Sequence, residues 1–193
     1  MINLLKKLGQ FFLDTIQAMV LALSLFIVVY LFLFQPHLVK GNSMYPSFHN
    51  GEFLLTNKIS YRVGPPQRGD VIVFKAPTSE PCAEIDCEYI KRIIALPGET
   101  VKVSGGKIYI NDQPLNESDY LSSEVISTSG SFLIENVERL IPEDYFLAMG
   151  DNRPYSRDGR EFGPTPRSAI VGKAWLRYWP YNKVGFVKHE DYR

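Results

Sequence analysis

The chain changes its apolar pattern once. From Ile16 to Phe34 nearly every position is apolar, with Gln17, Ser24 and Tyr30 as the interruptions, whereas beyond residue 50 apolar residues come in short runs separated by Gly and Pro. A helix over 16–34 would be about 28 Å long against roughly 30 Å of hydrocarbon, so the first pattern predicts one membrane-spanning anchor. A cleavable secretory signal fits less well. Its apolar core runs about 7 to 15 residues and ends at a small-residue cut site, and Phe32-Leu33-Phe34-Gln35-Pro36 offers none.

The second pattern predicts strands. Val71-Ile72-Val73-Phe74 is a continuous apolar run, as in a strand buried on both faces, and Gly51 to Asn57 follows a His49-Asn50-Gly51 turn. Tyr89 to Leu96 is stopped by Pro97-Gly98, and Thr100–Val103 and Lys107–Asn111 flank Ser104-Gly105-Gly106 as a hairpin with Val101, Val103, Ile108 and Ile110 on one face. Phe132-Leu133-Ile134 and Tyr145–Met149 read as returns to the sheet, and Ala169–Trp179 as a closing strand or pair of strands. Residues 113–130, rich in Ser and Glu, read as an exposed excursion, and Tyr181–Arg193 as a short polar tail. The expectation is a mainly β domain of antiparallel strands over 35–193, carried on one N-terminal transmembrane helix.

Charge sets the orientation and removes one class of partner. Lys6 and Lys7 precede the apolar run, with Asp14 the one acid there, so 1–15 is expected to be cytoplasmic, 16–34 the anchor and 35–193 extracytoplasmic. The 21 basic residues balance 21 acidic ones and are scattered, which gives no field for nucleic acid. Outside the cytoplasm, Cys82 and Cys87 are spaced either to close a small disulfide or to remain two thiols; spacing alone leaves both open. No metal-ligand cluster and no Gly-rich phosphate loop occurs.

Three stretches carry candidate chemistry. Gly41-Asn42-Ser43-Met44-Tyr45-Pro46, just beyond the anchor, presents a serine on a loop stiffened by a proline. In Tyr89 to Leu96 the strand alternation puts Lys91 with Tyr89, Ile93 and Ala95, and Arg92 with Ile90 and Ile94, so both cations meet apolar neighbours. Gly150 to Arg160 packs Asp151, Asn152, Arg153, Arg157, Asp158 and Arg160 into one loop, which its own ion pairs should tie down.

In their order along the chain these stretches resemble the bacterial type I signal peptidases. That family runs from a membrane anchor through a Ser-Met-x-Pro box, an Arg-Gly-Asp strand and a Lys-Arg strand ending in Leu-Pro-Gly to a Gly-Asp-Asn-Arg box. Here these are Ser43-Met44-Tyr45-Pro46, Arg68-Gly69-Asp70, Tyr89-Ile90-Lys91-Arg92 through Leu96-Pro97-Gly98, and Gly150-Asp151-Asn152-Arg153 with Ser156, Asp158 and Arg160. The resemblance implies antiparallel sheets of the signal-peptidase type, Ser43 as nucleophile, Lys91 as general base, Ser156 orienting the lysine, and Asp158 and Arg160 bracing its loop. It also implies removal of signal peptides from secreted preproteins after small residues of the Ala-x-Ala type, with no cofactor and no metal. Some members bind the oxyanion with a serine two residues before the nucleophile. Gly41 stands there, which leaves the backbone N–H groups of Ser43 and Gly41. Val39, Met44 and Ile90 flank the dyad and are candidates for lining the substrate pockets. The partners expected are signal peptides and the lipid bilayer, in a bacterial plasma membrane rather than a thylakoid membrane, since no transit peptide precedes residue 16. A self-cleaving repressor shares such a dyad but lacks an anchor, and an inactive tethered binding domain would not need both Ser43 and Lys91.

Overall fold

The computed structural model describes residues 2–80, 87–190 and 192, with side chains from residue 6 onward. The chain divides into two compact units, residues 1–35 and 36–193. In the first, α1 (Ile2–Leu33) starts well before residue 16. Residues 2–15 hold a single glycine and no proline, so nothing stops the helix toward its N-terminus. Within Lys6–Leu33 a stretch of 18 residues has a mean hydropathy of 2.6 and none of it is buried, so the helix is long and apolar enough to cross a membrane.

The other elements are β1 (Phe34–Leu38), β2 (Phe53–Asn57), α2 (Ser60–Val63), β3 (Val71–Lys75), β4 (Glu88–Ala95), β5 (Thr100–Ser104), β6 (Lys107–Ile110), β7 (Gln113–Pro114), β8 (Arg139–Leu140), β9 (Tyr145–Met149), α3 (Gly159–Phe162), β10 (Thr165–Pro166), β11 (Ile170–Trp179) and β12 (Gly185–Phe186). Among the described residues the large sheet runs β1-β2-β11-β3-β4-β9-β10, with β12 also on β11, and the small one runs β7-β6-β5-β8. Named strand pairs with a stated register are all antiparallel. The fold is mainly β, as the apolar runs predict.

The large sheet curls. His37 on β1 lies 3.0 Å from Glu88 on β4, although β2, β11 and β3 separate them in strand order. One face packs Val39, Met44, Phe48, Leu54, Val71 and Ala174, with Ile90 and Val187 against them. Ile72, Phe74, Ile93, Phe146 and Ala148 form a second cluster, which is why Val71 to Phe74 is apolar at every position. The β5–β6 hairpin buries Val101, Val103, Ile108 and Ile110 against Ile94, Leu147 and Met149.

Two expectations fail, through contacts that strand periodicity does not show. Phe132-Leu133-Ile134 forms no strand; Leu133 is buried, but the N–H groups of Phe132 and Leu133 both donate to Arg160 O. The 113–130 excursion is mostly exposed and is anchored at a few points, with Leu121 and Ser127 buried and Glu117 paired to Arg153. The segment after Tyr181 returns as β12, and His189 Nδ1 accepts the Val71 N–H at 3.1 Å. Cys82, and with it the pairing proposed for Cys87, lies outside the described residues.

Candidate active site

Ser43 sits in the turn that links β1 to β2. Gly41 opens that turn at φ +86°, a left-handed conformation that glycine adopts without a Cβ penalty. Its N–H donates to Asn50 Oδ1 at 2.8 Å. Val39 N–H donates to Glu52 O and Gly51 N–H to Val39 O, which closes the base of the loop. Met44 and Phe48, both buried, fix its far side. The strand alternation of β4 turns Lys91 to the face of Ile93 and Tyr89, and there it is buried at 4% exposure.

The two meet. Lys91 Nζ donates to Ser43 Oγ at 2.6 Å. Burial pushes the lysine pKa down to about 8; Asp158 and Asp151 oppose this and Arg160 adds to it. The neighbouring cation is kept apart: Arg92 Nε and Nη2 hold both oxygens of Asp151 at 2.9 and 2.7 Å, Nη1 donates to Gly69 O, and the guanidinium lies over the Tyr120 ring.

The Gly150–Arg160 loop is braced as its charge pattern predicts. Asp158 takes the Gly150 N–H at 2.9 Å and is gripped by the Arg160 N–H, Nε and Nη2. Burial raises the Asp158 pKa, but the Arg160 bonds outweigh it and hold the carboxyl below the usual range. Arg160 Nη2 also donates to the carbonyls of Arg153 and Ser156. Asn152 ties the box to the Ser43 turn: its N–H donates to Ser43 O and its Nδ2 to Asn42 O. Ser47 Oγ donates to Asp151 Oδ2 at 2.6 Å. Ordinary turn chemistry gives no hint of the Asn152, Ser47 and Tyr120 contacts, because each joins segments far apart in sequence.

Two expected contacts are not made. Ser156 is brought close, since a Cβ on Gly150 would stand 2.1 Å from Ser156 Oγ and 2.4 Å from Ser43 O. Its hydroxyl lies beside the Asp158 carboxylate, which it helps to hold below the usual range, and makes no bond to Lys91. The Gly41 N–H, expected to face an oxyanion, is taken by Asn50, whereas the Ser43 N–H has no hydrogen-bond partner among the described residues. Val39 and Met44 are buried, and Ile90 is half-buried against them. A cleft of about 420 Å³ lined by Tyr61, Asp70, Lys173, Trp175, Phe186 and His189 includes neither dyad residue, and its carboxylate is already engaged by Tyr61, the Gln67 N–H and Lys173.

A family profile described as "Signal peptidase, peptidase S26" matches residues 12–179. The chain belongs to the S26 signal peptidases. A signal peptidase I of Leptolyngbya laminosa is 40% identical over 157 residues, covering 80% of this chain and 73% of its own. The signal peptidase I T of Bacillus subtilis is 35% identical over 191 residues, 95% of this chain and 93% of that one. A crystal structure of an Enterococcus faecalis signal peptidase I aligns with 56% of this chain and 95% of its own at 31% identity and a TM-score of 0.44. Like other S26 signal peptidases of type I, the protein is a hydrolase, a serine endopeptidase that removes signal peptides.

Proposed function

We propose that this signal peptidase cuts by a Ser43/Lys91 dyad, as a membrane-anchored enzyme whose 35–193 domain works on the outer side of a bacterial plasma membrane and cleaves after small residues of the Ala-x-Ala type. The observation that carries the reading is the 2.6 Å approach of the buried Lys91 Nζ to Ser43 Oγ. A lysine of ordinary pKa is neutral about one time in a thousand near pH 7.5; one at about 8 is neutral often enough to act as base. The neutral amine accepts the Ser43 proton as Oγ attacks the scissile carbonyl carbon. The oxyanion is met by the Ser43 N–H. On collapse the C–N bond breaks, the Lys91 ammonium gives its proton to the leaving amine, and an ester remains on Ser43. Water then attacks that ester, Lys91 takes a proton from the water, and Ser43 leaves with it.

Substrate is expected along the edge of β4 that leads to Lys91. β9 pairs with β4 from Arg92 onward, so the β9-side edge before Arg92 is open to an extended peptide. Val39, Met44 and Ile90 form the apolar floor beside it, which suits small side chains. Ser156 is a positioning residue beside the site, on a loop that Asp158 and Arg160 hold. The test is cleavage of an Ala-x-Ala preprotein in detergent by wild type, Ser43→Ala and Lys91→Ala, with folding followed by circular dichroism. Wild type alone should cut, after the small residue; cleavage by either folded variant would remove that residue from the mechanism.

A further inference from the structure

Glu80 is a buried carboxylate that the chemistry above does not use. It stands in the connection between β3 and β4, and its side chain is 1% exposed. Arg157, the residue after Ser156, grips it with two bonds: Nε to Oε2 at 2.6 Å and Nη2 to Oε1 at 3.0 Å. The arginine itself is 61% exposed, so it lies over the carboxylate as a cover. A pair of exposed side chains would contribute little; here one partner is shut away from water. The segments joined in this way come from opposite flanks of β4, because β3 pairs with one edge of that strand and β9, which leads into the Arg157 loop, with the other.

Tyr89 stands beside both members of the pair. Burial and the Glu80 carboxylate raise its pKa, and Arg157 opposes them. Alternation puts Tyr89 with Lys91 on the face of β4 opposite Ile90. Its ring packs against Phe74 and Phe162, and Lys91 Nζ lies 5.4 Å from the ring centroid. The phenol that covers the lysine on this side is thus held by aromatic rings at one end and by the ion pair at the other. We propose that Glu80 and Arg157 form a strap that keeps Tyr89 over Lys91 and water away from Nζ, which makes both of them positioning residues for the base. This rests on the Ser43/Lys91 reading. The other groups that face Nζ are Ser43, which accepts its bond, and Asp158, Asp151 and Arg160 of the loop; β3 places Ile72 opposite. Burial is the main influence that disfavours the ammonium, with Arg160 adding to it, while Asp158 and Asp151 favour it. A base in that balance depends on staying dry, and water admitted beside Tyr89 would let it keep its proton to higher pH.

The full-length enzyme in detergent is assayed on an Ala-x-Ala preprotein, with kcat/KM followed from about pH 6 to about pH 10, for wild type, Glu80→Gln and Arg157→Lys. Glu80→Gln removes a negative charge on this side of the lysine, which alone would move the midpoint down. Arg157→Lys keeps the charge and loses the paired grip. An upward move therefore reports water and not charge. Wild type should rise with a midpoint near pH 8. In Glu80→Gln the midpoint should move up by about one unit, so that kcat/KM falls roughly tenfold at pH 7 and comes within about twofold of wild type at pH 10. If Glu80→Gln fails to fold by circular dichroism, the midpoint of Arg157→Lys decides in its place. A deciding midpoint that stays or moves down, or a loss equal at every pH, overturns the strap and leaves the dyad standing. Wild type that does not cut, or cuts without such a rise, takes the dyad reading and the strap together.

Discussion

The lysine is where this fold gives up stability for chemistry. Its pKa falls from the usual 10.5 to about 8 because the ammonium is buried, so below pH 8 the folded chain holds a charge at a cost of the order of 3 kcal/mol. Between pH 8 and 10.5 the unfolded chain binds the proton and the folded one does not, so stability rises with pH across that window and levels off above it. Lys91→Met, nearly isosteric, should therefore be inactive and yet more stable at pH 7 by up to about that amount, less the roughly 1 kcal/mol of its bond to Ser43. Urea midpoints at pH 7 and pH 10.5 check this, and the gap should close at the higher pH. A Lys91→Met protein less stable than wild type at pH 7 would contradict a charge buried at a cost. Cleavage by wild type should rise with an apparent pKa near 8, read from kcat/KM against pH. The approach of Lys91 to Ser43 is foreshadowed by the ordered motifs and their resemblance to the signal peptidases, while strand alternation alone says only that Lys91 or Arg92 meets apolar neighbours. That Gly41 spends its N–H on Asn50, and that Ser156 stops short of the lysine, is not foreshadowed, because both depend on side-chain positions that strand periodicity does not set.

Among the elements, the Gly150–Arg160 loop does for the site what a rigid strand cannot: it touches the Ser43 loop and the Lys91 strand at once. Asp151 joins Arg92 to Ser47, and Asn152 holds the carbonyls of Asn42 and Ser43. Removing the carboxylate leaves Arg92 buried and unpaired, so Asp151→Ala should destabilise by about 3–5 kcal/mol in urea unfolding; a loss under about 1 kcal/mol would mean that water replaces the carboxylate. Gly150→Ala separates geometry from stability. Its Cβ would strike both Ser156 Oγ and Ser43 O, so the loop must shift by about an ångström, and kcat should drop roughly a hundredfold while the variant stays folded. An unchanged kcat would show that the loop can yield without moving Ser43. The strands themselves were readable because alternation and apolar runs are local signals. The misreadings share one cause: 132–134 and the tail after Tyr181 are fixed by Arg160, Val71 and β11, contacts that no local pattern shows. The curl that brings His37 to Glu88 is likewise a property of the whole sheet and leaves no mark on either strand alone.

For the molecule as a whole, the remaining question is which side of the membrane holds the domain. Over Lys6–Leu33 the helix is apolar enough to span, and the charge bias that orients it is thin: Lys6 and Lys7 on one flank, Lys40 and, when protonated, His37 on the other. On the proposed orientation, two lysines beside the candidate span outweigh one and should retain the N-terminus in the cytoplasm, and an outer domain is what access to the cut site of an exported chain requires. In spheroplasts treated from outside with a broad protease, an epitope placed after Arg193 should be lost and one placed before Met1 protected; the reverse pattern would invert the topology. Because the bias rests on so few charges, Lys6→Glu combined with Lys7→Glu should leave a measurable fraction of molecules with the C-terminal epitope protected. Preprotein processing in those cells should fall in proportion to that fraction, since an inverted molecule keeps its Ser43/Lys91 site intact but presents it to the wrong compartment. Full activity of the double variant in detergent, beside reduced processing in cells, would place the defect in orientation rather than in the fold.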